Sequence, residues 1–184
     1  MRVVALHLLA AALALSATAA TAAPASTPPT AADTDDGDDT AWLNGLDPAV
    51  YARALAAFEA VRAEGHTRRS VLAVIDYARP STERRLWVFD VDARALLHHE
   101  LVAHGSGTGA LMATRFSNRH GSHQSSLGTF VVGDAYQGKH GRSLRLHGLE
   151  RGLNDNALAR AVVIHAAAYV SDDVVARQGH LKQN

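Results

Sequence analysis

From residue 71 onward the apolar residues come in short runs closed by turn residues, a pattern that makes the middle and end of the chain strand-dominated. The runs cover residues 71–76, 86–91, 95–103, 127–132, 143–146 and 161–166. Asp92-Ala93-Arg94 reads as a turn between the second and third, which predicts a meander. Short strands this close together pair with their sequence neighbours. A short helical piece is expected at about residues 154–160, with Asn154 as its cap.

One helix precedes the strands. Over residues 47–64, Asp47 can cap, Pro48 suits the first helical position, and Val50, Ala54, Phe58 and Val61 fall on one face. Gly65 ends it. Leu46 and Tyr51 stand where a hydrophobic staple would close the first turn, so this helix should pack on the domain that follows.

The chain's beginning has a different character. Behind Arg2 an apolar stretch runs from Val3 through Leu15 and fades into Ala and Thr, the pattern of a secretory signal peptide over residues 1–23, with cleavage expected between residues 19 and 25. A transmembrane anchor needs about 20 strongly apolar residues. Cleavage would leave no stable membrane span, and the domain would be exported, to the periplasm or outside the cell. Residues 24–44 combine Pro24, Pro28 and Pro29 with Asp33, Asp35, Asp36, Asp38 and Asp39, and read as a flexible spacer. The folded domain is expected over residues 45–184.

With Arg2 and those five aspartates set aside, 17 basic and 13 acidic residues remain, an excess of about +4. The excess is scattered and no basic run is interleaved with aromatics, which argues against a nucleic-acid partner. The sequence contains no cysteine. No disulfide can staple the fold in its oxidising compartment, and no thiol is present for nucleophilic chemistry.

Residues 104–126 hold Gly105, Gly107, Gly109 and Gly121 among many Ser, Asn and His, a loop longer than connections of about 12 to 15 residues. Loops of this length and polarity often carry function. Eleven histidines raise a metal centre as a possibility, with His98, His99 and His104, and then His120 and His123, closest in sequence. Neither grouping has a diagnostic zinc spacing, so no metal is expected. A serine nucleophile would want Gly-x-Ser-x-Gly, which neither Ser106 nor Ser126 satisfies.

His165 sits in the apolar run 161–164 and ahead of three alanines. Read from the residues alone it is either a satisfied core histidine or a base. His147, closing the run 143–146 before Gly148, poses the same choice, and two imidazoles at strand ends could face one cleft.

Several ordered segments carry a resemblance: His104-Gly105-Ser106-Gly107, Phe116-Ser117-Asn118, Ser125-Ser126-Leu127-Gly128, Tyr136-Gln137-Gly138-Lys139-His140-Gly141, Ser143 through Glu150, Asn154-Asp155-Asn156-Ala157 and Val163-Ile164-His165-Ala166. Together they resemble the murein L,D-transpeptidase catalytic domain, of the YkuD-like fold. The resemblance implies a mainly-β domain with short helices, of β-sandwich type and preceded by one helix, that acts on peptidoglycan stem peptides. In the family a cysteine thiolate attacks the carbonyl of an L-centre next to a D-residue and passes the acyl group to an amine or water. By that analogy His165 is the activating base and His147 a second imidazole of the site, while Tyr136, Ser126 and Gly148 lie in segments that would meet substrate. An imidazole beside a thiol of pKa near 8.5 raises the thiolate population, so the chemistry is coherent.

The family's cysteine stands in a Ser-x-Gly-Cys-Pro type motif about 20 residues past that histidine. Here Gln178-Gly179-His180-Leu181 is followed by Lys182-Gln183-Asn184, and Ala166 replaces the family's glycine. The resemblance therefore implies a domain incomplete at its C-terminus and lacking the nucleophile, with a strand edge left exposed. Without a thiol, transpeptidase activity is not expected, and a non-catalytic peptidoglycan-binding module is the alternative. No cofactor is implied, since neither a Gly-x-Gly-x-x-Gly nor a P-loop motif is present. Nothing in the sequence specifies an oligomeric state.

Overall fold

The computed structural model describes Val3–His7, by backbone alone, and residues 40–181. The expected spacer at residues 24–39, the leader apart from Val3–His7, and residues 182–184 lie outside the described residues.

The helix forms as its sequence predicts. α1 spans Pro48–Ala63, with the Asp47 carboxylate accepting from the Ala49 amide at 2.7 Å and proline in the first turn. Val50, Ala54, Phe58 and Val61 are buried. They pack against Leu72, Val74, Trp87 and Phe89 of the strands, with Leu46 in the same cluster and Tyr51 against it. Each such side chain taken fully from water contributes about 1.5–3 kcal/mol, which fixes the helix on the sheet.

The start of the packed region differs from expectation. Ala41–Leu43 form a 3-10 turn in which Leu43 is buried. Trp42 meets the edges of Tyr51 and Phe89 at 5.0 and 5.3 Å. Residues 41–44, assigned by composition to the spacer, therefore belong to the helix-side core: two large apolar residues there outweigh the polar character of what precedes them.

Seven strands form one sheet among the described residues. In chain order they are β1 (Val3–His7), β2 (Val71–Asp76), β3 (Leu86–Asp90), β4 (Ala95–Glu100), β5 (Gly128–Gly138), β6 (Gly141–Gly148) and β7 (Val163–His165). Their spatial order is β4-β3-β2-β1-β5-β6-β7. The β2–β3–β4 unit is the expected meander, antiparallel throughout, with a bulge between Val88 and Phe89. β5, β6 and β7 make a second antiparallel unit. β1 joins the two, antiparallel to β2 and parallel to β5.

β2 explains how two cores arise from one strand. Alternate residues point to opposite faces. Leu72 and Val74 meet α1, while Ala73 and Ile75 meet Phe130, Val132 and Leu146 on the other face. Covered on both sides, β2 reads as a continuous apolar run.

Three elements depart from the sequence reading. β5 runs on to Gly138, past Gly133 and Asp134, because a bulge between Val132 and Ala135 absorbs them. Residues 151–161 form consecutive turns and not the expected helix. Asn154 is wholly buried and spends its side chain on Leu127 O, Thr129 O and the Glu150 amide. The second helix, α2 (Asp172–Gln178), was not anticipated, although Ser171 caps the Val174 amide and Asp172 and Asp173 fill its first turn.

The outer strands are β4 and β7, and the slot between β2 and β5 is filled by Val3–His7.

Candidate functional site

A cleft of about 610 Å³ is lined by residues of β2 to β7, by both arms of the long loop and by the segment around β7. Phe130 and Leu146 form its apolar floor. One wall is the loop at residues 104–105 and 123–126, and the other is the segment 160–167 with His165.

The loop is ordered by its own chemistry. Two arms lie face to face: the Gly107 amide donates to His123 O at 2.7 Å, Gly105 to Ser125 Oγ at 3.0 Å, and Ser125 to Thr108 Oγ1 at 2.7 Å. A Cβ on Gly105 or Gly107 would collide with the facing His123 and Ser122 carbonyls, so these glycines permit close backbone approach.

Arg160 fastens the second arm. Its guanidinium donates to Ser117 O at 2.6 Å, Ser126 Oγ and Gln124 O at 2.5 Å, and Ser122 Oγ at 3.2 Å. Ser126 does line the cleft, but it is buried and its hydroxyl donates to Ser117 O at 2.9 Å. Its donor is spent on the loop, and its acceptor on Arg160. That arrangement holds a wall in place and offers no base for a serine nucleophile.

Behind the first arm lies a buried polar group. Arg85 is fully buried and donates to Val102 O, Arg79 O and His104 Nδ1 at 2.8–3.2 Å. Because a guanidinium only donates, Nδ1 of His104 is the acceptor, and Nε2 carries the hydrogen given to Gly109 O at 3.2 Å. Burial, then the Arg85 charge, holds the His104 pKa below the ordinary imidazole value. Tyr77, stacked beneath Arg85, is pushed up by burial and bonds Ser125. The His98, His99, His104 group likewise divides among structural duties. His99 stacks on Trp87 at 4.7 Å and bonds Asn44 and Arg84 O.

His165 is half-buried on β7 and not a sealed core residue. Its Nδ1 lies 2.9 Å from Ala166 O. A carbonyl can only accept, so Nδ1 bears the hydrogen and Nε2 is left as the basic nitrogen. Its ring stacks on His140, centroids 4.4 Å apart and planes at 14°. His140 was missed in the sequence because it sits in the two-residue turn Lys139-His140, where polar residues need no further reason.

The remaining candidates fall outside the cleft lining. Tyr136, Ser143 and His165 stand in one cross-strand row over β5, β6 and β7, and Tyr136 carries the Arg145 guanidinium 4.1 Å above its ring. His147 shares the β6 face of Ser143 and is exposed, pairing with Val131. The two imidazoles at strand ends therefore do not share a cleft: His165 borders it and His147 does not. Gly148 packs so closely on the Asn154 carbonyl that a Cβ would not fit, which makes it a packing glycine under the 150–154 turn. Glu150 and Asn154 tie that turn to β5 through the Thr129 amide and carbonyl, a role that sequence reading did not assign them.

The fold and cleft are those of a small mainly-β domain with a histidine on an outer strand. A family model described as the L,D-transpeptidase catalytic domain matches residues 43–183. The chain belongs to the L,D-transpeptidase catalytic-domain family, in its YkuD-like branch. No curated protein and no solved structure matches the chain.

Proposed function

We propose that these residues bind peptidoglycan stem peptides in the cleft beside His165, and that residues 1–184 by themselves do not join or cut them. Family membership ties it to peptidoglycan. The observation that carries the reading is the cleft itself: a pre-ordered groove, floored by Phe130 and Leu146 and walled by polar groups of residues 123–126, with a half-exposed imidazole on its border. A groove of apolar floor and few polar walls suits a short peptide of small side chains.

Within residues 1–184 the family's thiol chemistry has no nucleophile. The 184 residues contain no cysteine, so no thioester can form on them. The hydroxyl nearest in kind, Ser126 Oγ, is held by Arg160 and Ser117. His165 then serves as a polar contact for the peptide, its Nε2 accepting from an amide or ammonium donor. Export to the cell wall, with signal-peptide cleavage between residues 19 and 25, accords with this partner. Among the described residues no helix is long and apolar enough to cross a membrane.

Titration with a soluble muropeptide bearing an intact stem tests the reading. The amides of residues 123–126 and the His165 ring should shift together, and mass spectrometry should find no covalent adduct. Absence of shifts at millimolar peptide, or an acyl adduct on the chain, would overturn it.

A further inference from the structure

The feature of the fold that the cleft does not use is the slot between β2 and β5. We infer that this slot is a strand-accepting site, and that the leader's own Val3–His7 segment is its occupant in the unprocessed chain. The inference stands on the sheet and is independent of the proposed ligand.

Among the described residues, β1 alone pairs with a strand of each of the two three-stranded units. β1 supplies five register pairs to β2, from Val3↔Asp76 to His7↔Leu72, and four to β5, from Val4↔Gly128 to His7↔Val131. β2 faces a core on each side, through Leu72 and Val74 on one face and Ala73 and Ile75 on the other, and β5 faces the second of these cores through Phe130 and Val132. A strand buried on two faces must be a nearly continuous apolar run. Val3-Val4-Ala5-Leu6 is such a run, and the spacer residues 24–39 are not.

The hydrogen-bond phase of the slot can be read from the other side of β2. The Asp76 amide donates to Arg85 O at 2.9 Å, so by alternation the amides of Leu72 and Val74 face β3. Those of Ala73 and Ile75 face β1, and their register partners are Leu6 and Val4. An open slot would leave these two amides, and their counterparts on β5, without partners in a buried position, which is costly. It would also create two facing edges able to take in an extended segment.

This gives the leader a second property. The cut expected between residues 19 and 25 falls beyond β1, so processing would sever Val3–His7 from the domain and leave it held by the two ladders alone. Departure of the leader would then open the slot.

Amide exchange measured residue by residue on the full chain tests the proposal, with Leu6→Pro compared to the unaltered protein. Proline removes the Leu6 donor and cannot sit in a central ladder. The expected result is exchange at least tenfold faster at Ala73 and Ile75, with Leu72 and Val74 unchanged. Loss of protection throughout the domain would also support the inference, since a proline in a leader outside the fold has no means of unfolding it. Equal rates at Ala73 and Ile75 in both proteins would overturn it, as would an identical response to Ala12→Pro, beyond the strand.

Discussion

His165 and His140 lie face to face, their ring centroids 4.4 Å apart and their planes 14° from parallel. The stack comes from the β5–β6 hairpin turn reaching β7, and it sets a second imidazole against the one that borders the cleft. Lost hydration beside the neighbouring ring, then the charge of His165, then Lys139, hold the His140 pKa below the ordinary value of 6.5. His140 should therefore titrate below that value when followed by its ring resonance. In His165→Gln the midpoint should rise toward it. An unchanged midpoint in the variant would contradict the stack.

The same sign governs stability. His104 is also held below the ordinary imidazole value, by burial first and the Arg85 charge second. Between the lowered folded values and about 6.5 the unfolded chain binds more protons than the folded one, so stability rises with pH across that window. It is fully present above the unfolded value and lost as pH falls through the folded ones. Urea midpoints should therefore increase from about pH 5 to pH 7 and show no further gain from these two groups above it.

Arg160→Ala removes the side chain that binds Ser117, Gln124, Ser122 and Ser126 at once. A loss of about 2 kcal/mol is expected, taking charge-assisted bonds at the modest end because the group is only half-buried. Exchange should accelerate over residues 117–126 and leave α1 untouched. Uniform acceleration across the domain would mean that Arg160 supports the core and not the loop.

Gly148→Ala drives a methyl into the Asn154 carbonyl, and Asn154→Ala strips partners from Leu127 O, Thr129 O and the Glu150 amide. Overpacking at the first is expected to cost about 1–3 kcal/mol. The second leaves buried groups unpaired, at about 3 kcal/mol. Peptide affinity of the folded fraction should be unchanged in both, because neither residue borders the cleft. A selective loss of affinity at Gly148→Ala would return that residue to the substrate.

The sequence carried α1 and the meander almost to the residue, because Asp47, Pro48 and the run 71–76 each satisfy one strong local rule. It missed the length of β5, where Gly133 and Asp134 break the alternation and a bulge repairs it. It read Asn154 as a cap, since a cap and a buried bridge draw on the same side-chain oxygen and amide. His165 stood out by its apolar surroundings, which suit a core histidine and a base equally and so left the choice open. His140 had no such contrast. Tertiary placement alone, with the hairpin turn folded against β7, makes it a neighbour of the site.

The proposed binding of peptidoglycan in the cleft beside His165, without acylation of residues 1–184, can be measured on whole cell walls. Sedimentation of the purified protein with isolated sacculi at low salt, alongside Ala103→Trp, tests it most directly, because Ala103 lines the cleft and a bulky ring there would occlude it. Co-sedimentation of the unaltered protein with no covalent product is expected, and at least a tenfold loss in the variant, each tenfold corresponding to about 1.4 kcal/mol of binding. No sedimentation, or equal sedimentation of both proteins, would contradict it.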